Sequence, residues 1–162
     1  MEQATITLTR DIDLPSSIVW DALVDADLVS GWLAEAEIEP VVGGRYNLVW
    51  VHREGFEPTF GRITRLQHLE RLSVDTSNTG RIELRLESND GGFRETWTRV
   101  HVTVVDDVED SQAIARLTAD WTCNLEQLEE LLRGHPADWL NWERDRREAW
   151  TRYLEAASNS PA

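Results

Sequence analysis

The stretch Asp110–Arg133, DSQAIARLTADWTCNLEQLEELLR, decides how the rest of this chain is read. Ile114, Leu117, Trp121, Leu125, Leu128 and Leu132 recur every three or four residues, which places them on one face of an α-helix. Asp110, Gln112, Arg116, Asp120, Glu126, Glu129, Glu130 and Arg133 take the opposite face, and Gly134 with Pro136 stops the pattern. At ~1.5 Å per residue this helix runs roughly 36 Å, enough to cross a small domain. Strand patterns precede it. A helix and a sheet that are each apolar on one side bury that side against one another, so the long helix is expected to lie across an antiparallel sheet.

Outward toward the N-terminus, Thr5 to Leu14 alternates. Ile6, Leu8, Ile12 and Leu14 share one face of a half-buried strand. Arg10 falls on that apolar face, where a charge needs a partner or a route to solvent. Pro15, Ser16 and Ser17 open a short helix through Val24, and Asp25 to Asp27 cap a second, Leu28 to Leu33. Glu35, Glu37 and Glu39 line the solvent face of a second strand. The Gly43-Gly44 turn leads to a third, Arg45 to His52, with Tyr46, Leu48, Trp50 and His52 on one side. Val49 and Val51 on its other side suit a strand covered on both faces. Phe60–Leu66, Arg71–Thr76 and Arg81–Glu87 continue the series. Asn89 to Gly92 then turns the chain into Arg94–Val105, whose Val100, Val102 and Val104 are oriented toward the helix. Beyond Gly134, Ala137 to Ala157 is helical again, with Trp139, Trp142, Trp150, Tyr153 and Leu154 on one stripe. Docking on the domain's own surface is the ordinary use of such a stripe; a homodimer through the C-terminal helix is the alternative. The expected organisation is a domain over residues 1–134 and a tryptophan-rich extension over 135–162.

Thirty acidic residues against sixteen basic ones leave the 162-residue chain at −14, which repels phosphate backbones and anionic lipid. Neither nucleic acid nor membrane is expected as a partner. Every basic residue is arginine, so side-chain Schiff-base chemistry and a lysine phosphate loop are excluded. Cys123 is the single cysteine and no signal-peptide pattern opens the chain, which fits a cytoplasmic protein. His52, His68, His101 and His135 are scattered, with no pair at metal spacing. The sequence therefore offers no catalytic constellation, no metal set and no cofactor motif.

Val19-Trp20-Asp21-Ala22-Leu23-Val24-Asp25, then Trp32-Leu33, then Val42-Gly43-Gly44-Arg45-Tyr46 resemble the signature of the activator of Hsp90 ATPase homologue 1-like (AHSA1-like) proteins, in the START/Bet v 1-like (SRPBCC) superfamily. The resemblance covers roughly residues 4–133. It implies an α+β helix-grip fold: a curved antiparallel sheet around one long C-terminal helix, with two short helices after the first strand. Here an extra C-terminal helix is added. It also implies an apolar cavity between sheet and helix that takes a small hydrophobic or aromatic molecule. Two alternatives come with it: a protein-interaction module related to the Hsp90 co-chaperone, and a cyclase or dehydratase enzyme. The residues expected to line the cavity are Tyr46, Leu48, Trp50, His52, Arg62, Leu84, Trp121 and Leu125. Tyr46, His52, Arg62, Thr98 and Arg10 are its candidate polar groups.

Overall fold

The computed structural model describes residues 2–91 and 96–159. In chain order the elements are β1 (Glu2–Ile12), α1 (Ser16–Val24), α2 (Ala26–Val29), β2 (Glu35–Ile38), β3 (Tyr46–Val49), β4 (Gly61–Gln67), β5 (Arg71–Thr76), β6 (Arg81–Asp90), β7 (Thr96–Val108), α3 (Ser111–Leu132) and α4 (Trp142–Asn159), with a 3₁₀ turn at Trp139–Asn141. An antiparallel sheet runs β1-β7-β6-β5-β4, and β2 pairs with β3. Bridges Arg45–Arg62 and Leu48–Thr59 join β3 to the start of β4, so the two sheets form one curved surface. Gly61 permits this junction, because a Cβ there would stand 2.4 Å from Tyr46 O.

The inner face follows the alternation of the sequence. Ile6 opposes Val104, Leu8 opposes Val102, and Ile82, Leu84 and Leu86 meet Val104, Val102 and Val100. The three valines are fully buried and share one core with Ile63, Leu72, Val74, Trp121, Leu125 and Leu128. Asp110 caps α3 by accepting from Ala113 N at 2.9 Å. Arg10, the charge on the apolar face, reaches across to α3: its Nε and Nη2 donate to Glu129 Oε1 at 3.0 and 2.6 Å. Thr98 Oγ1 donates to Leu14 O at 2.8 Å, pinning the entry to α1.

Several boundaries differ from expectation. β1 begins at Glu2 and ends at Ile12, because its pairing with β7 continues to Val108. α2 is Ala26–Val29, capped by Asp25, whose side chain accepts from Asp27 N at 2.9 Å. β3 stops at Val49 rather than His52: Arg53 N donates to Trp50 O at 3.1 Å and turns the chain, leaving His52 in a loop. Val49 and Val51 are 49% and 43% exposed, so β3 is covered on one face only. β6 continues to Asp90; Gly92 of the expected turn and Arg94 of the next strand lie outside the described residues. α4 begins at Trp142, because Ala137 N (to Gly31 O, 2.8 Å) and Trp139 Nε1 (to Ser30 O, 2.7 Å) pin the preceding segment to the α2–β2 loop.

The largest departure concerns the polar face of α3, part of which is covered. α4 packs along it, and three aromatic donors of the tail meet three polar side chains of α3. Trp142 Nε1 donates to Gln127 Oε1 at 2.9 Å, Trp150 Nε1 donates to Asp120 Oδ1 at 2.8 Å, and Tyr153 OH donates to Glu126. The long helix is thus held between the sheet and α4. Among the described residues no helix is long and apolar enough to cross a membrane.

Candidate functional site

A cleft of about 740 Å³ opens where the seam between sheet and α3 meets the tail. Its floor is α3, through Arg116, Leu117, Asp120, Trp121 and Cys123. Ile82 of β6 marks its inner end, the loop Trp50–Phe56 forms one wall, and the tail from Trp139 to Trp150 forms the other. The loop is held by its own rings. Trp50 Nε1 donates to Thr59 Oγ1 at 2.8 Å, Phe56 meets Trp50 edge-on at 6.0 Å, and the Arg53 guanidinium lies 4.1 Å from the Phe56 centroid. The facing wall repeats the device. Arg147 lies 5.0 and 4.9 Å from the rings of Trp142 and Trp150, and is fixed by two bonds to Glu143 at 2.9 and 2.5 Å.

His52 joins the two walls. Its ring stacks on Trp139 at 4.6 Å with 24° between planes, and tilts against Trp142 at 5.0 Å. Its Nδ1 is buried without a hydrogen-bond partner. Burial first, then the Arg53 and Arg147 charges, press its pKa down to about 4 against a weaker pull from Glu143, so the ring is neutral at pH 7. Between pH 6.5 and 4 the unfolded chain binds a proton that the folded chain refuses, so stability rises with pH in that window and is lost as pH falls through it. The full shift corresponds to about 3 kcal/mol, and about half that remains once solvent at one edge of the ring is allowed for. Urea unfolding of wild type and His52→Phe should therefore give a stability gap, in favour of the variant, that widens by about 1–2 kcal/mol from pH 7 to pH 4.5. A gap independent of pH would refute the burial of a neutral imidazole.

The lining is charge-balanced although the chain is strongly acidic: Arg53, Arg116 and Arg147 stand against Glu54, Asp120 and Glu143. Burial raises the pKa of Asp120, while Arg53, at 3.9 Å, and the Trp150 N–H hold it down. Cys123 is buried, and desolvation followed by Glu126 and Asp120 pushes its thiol up to about 12. It is an inert wall rather than a nucleophile. Among the described residues no group of three or more His, Cys, Asp or Glu is placed to hold a metal ion.

Of the eight residues named from sequence, the structure brings Trp50, His52 and Trp121 together on the cleft. Leu48, Leu84 and Leu125 sit in the packed core. Tyr46 is in that core too: its OH donates to Leu23 O at 2.7 Å, and burial raises its pKa. Arg62 is exposed, and its Nη1 donates to Gly43 O at 2.8 Å on the sheet surface. Arg10 and Thr98 are engaged by Glu129 and Leu14 as described above. Sequence reasoning did not assign Arg53, Phe56, Asp120, Trp139, Trp142, Arg147 or Trp150 to the site, although it set Trp139, Trp142 and Trp150 on one stripe of the tail. The readable signal for the last four was their helical spacing in the tail.

The model of the activator of Hsp90 ATPase homolog 1-like protein family matches residues 13–133. No curated protein matches the sequence. Among solved structures, a conserved protein of unknown function from Enterococcus faecalis is 19% identical with a TM-score of 0.66, the alignment covering 99% of this chain and 88% of that one. CalU16 from Micromonospora echinospora is 22% identical with a TM-score of 0.61, over 93% and 88% of the two chains. DynU16, from the dynemicin biosynthetic locus, is 17% identical with a TM-score of 0.62, over 82% and 48%. At these identities the likeness is one of fold, and in the Enterococcus protein it spans nearly the whole of this chain, tail included.

Proposed function

This chain belongs to the activator of Hsp90 ATPase homolog 1-like family, and we propose that it binds a small, largely apolar aromatic molecule in the cleft between the Trp50–Phe56 loop, α3 and the tail. The observation that carries this reading is the cleft itself. It has the size of a small-molecule site, roughly 300–1,000 Å³, and its walls are built from Trp50, Phe56, Trp121, Trp139, Trp142 and Trp150. Flat rings on both sides favour a flat guest, and the balanced charge of the lining gives an ion no advantage over a neutral guest. SRPBCC proteins as a class take small hydrophobic molecules. One protein of similar fold, DynU16, comes from a biosynthetic locus, a setting in which a small-molecule guest is natural. In this reading the tail is one wall of the site rather than an appendage.

Native mass spectrometry of freshly purified protein tests it. The expected spectrum carries a reproducible extra mass that disappears on denaturation. Leu117→Trp, which fills the cleft from α3, should abolish that mass, and Arg62→Ala, which alters the outer sheet surface, should leave it unchanged. A bare chain mass that also shows no heat stabilisation by flat aromatic compounds would sink the proposal.

A further inference from the structure

In the walls of the cleft the indole N–H groups of Trp50, Trp139, Trp142 and Trp150 are all engaged within the fold. On the floor, Trp121 and Asn124 are not. Trp121 is 4% exposed, and among the described residues its indole N–H makes no hydrogen bond. That N–H is not sealed in the interior, since His52 Nδ1 is the one described side-chain nitrogen or oxygen both buried and unpaired. It therefore belongs to the small accessible part of Trp121, and the space that Trp121 lines is the cleft. Asn124 is half-buried on the same lining, and its amide likewise has no partner among the described residues. It follows Asp120 by four residues and Trp121 by three, so the three share one side of α3. A helical side chain leans toward the N-terminus of its helix, which lays this amide over the turn that carries the other two. Helix formation does not call for it, because asparagine is one of the weaker helix formers and leucine one of the better.

We propose that Asn124 is the polar anchor of the cleft's ligand, and that the ligand is an uncharged planar aromatic molecule with a hydrogen-bond donor and an acceptor side by side on one edge, as in a lactam. The inference rests on the small-molecule reading of the same cleft. A primary amide donates through its nitrogen and accepts through its oxygen. A lactam edge meets it with two bonds: the lactam N–H donates to Asn124 Oδ1, and the lactam carbonyl accepts from Asn124 Nδ2. The Trp121 N–H is a further donor on the same floor. Both bonds lie in the plane of the guest, so its faces are left for the aromatic walls while its edge points at α3. A purely apolar guest would cut the amide and the indole N–H off from solvent with nothing in return, whereas a matched edge replaces what it displaces.

The test is a titration of the full chain at pH 7, read by broadening of the probes' proton resonances. The probes are 2-quinolinone, N-methyl-2-quinolinone, which keeps the ring and the carbonyl but not the donor, and naphthalene, which has neither. Wild type is expected to bind 2-quinolinone about tenfold more tightly than its N-methyl derivative. Asn124→Leu should bind naphthalene at least as tightly as wild type does and lose the preference between the two lactams. A preference that survives in Asn124→Leu, or the absence of one in wild type while any probe binds, would overturn the anchor and leave the cleft as a binding site. Failure of all three probes to bind, or binding that persists in Leu117→Trp with its cleft filled, would overturn the cleft reading and the anchor together. Asn124→Ala suits a helix and adds no apolar bulk, so it repeats the test independently of the leucine variant. It too should lose the preference, and a preference retained there overturns the anchor.

Discussion

Deleting residues 135–162 is expected to lower the stability of the remaining chain by about 3–5 kcal/mol, a large part of the roughly 5–15 kcal/mol of a domain this size. The reason lies on the far side of α3. Ala115, Ala119, Cys123 and Gln127 are buried yet stand outside the sheet–helix core, with α4 packed along that side of the helix. Removing α4 returns this strip to water, together with the bonds that Trp142, Trp150 and Tyr153 make to Gln127, Asp120 and Glu126. A tryptophan buries about 150–250 Å², worth about 4–6 kcal/mol at 25 cal/mol per Å². Several such rings are lost, but the ordering entropy of the tail is recovered, so only a fraction of the gross contact energy survives as the net effect. Urea unfolding should show the fall in midpoint, and a hydrophobic dye should bind the truncated chain and not the whole one. An unchanged midpoint with no dye binding would mean that the tail contributes nothing to the domain, and its aromatic stripe would then be free for a second copy.

The same strip explains what could be read in advance and what could not. The sheet was legible because its inner face is apolar at every second position, and a one-residue error would have put Val100, Val102 and Val104 in water. The long helix was legible because Leu117, Trp121, Leu125 and Leu128 face one way. Its other face carries Asp120, Glu126 and Gln127, whose side chains are those of a solvated helix. Nothing in their local spacing says that Trp142, Trp150 and Tyr153 will come down upon them from 15 to 30 residues away. Hydropathy periodicity reports one apolar partner per helix, and α3 has two, the second recognised through polar groups. The candidate site inherited this blind spot. Trp50, His52 and Trp121, which line the cleft, are legible because they extend the core pattern, whereas Asp120 and Arg147 come to the same cleft only once α4 is folded back. The end of β3 was misplaced for a related reason: Trp50 and His52 keep the strand alternation into a turn that the Trp50 carbonyl closes.

Gln127 is where these relations can be measured. It is 1% exposed and spends both ends of its amide: Nε2 donates to Trp32 O at 2.7 Å, and Oε1 accepts from Trp142 Nε1 at 2.9 Å. One side chain thus ties the helix insertion after β1 to the tail, through the middle of α3. Gln127→Leu keeps the volume and strands both partners, a buried carbonyl and a buried indole N–H. Each orphan costs about 1–3 kcal/mol, so the substitution is expected to destabilise by about 3 kcal/mol even though it makes the helix more apolar. Trp142→Phe removes the indole N–H together with part of the ring, and the cost of the lost volume is common to both backgrounds and cancels in the cycle. In the Gln127→Leu background that second change should cost less than it does in wild type, because the N–H it deletes is already unpaired. The difference, a coupling of about 1–2 kcal/mol from the double-mutant cycle, is the measurement that decides. Strict additivity would mean that water reaches the amide and that α4 lies loosely on α3. A clear coupling would mean that the tail is keyed to the domain through a polar contact, so that a change at Trp142 or Gln127 alters the wall of the cleft as well as the stability of the fold.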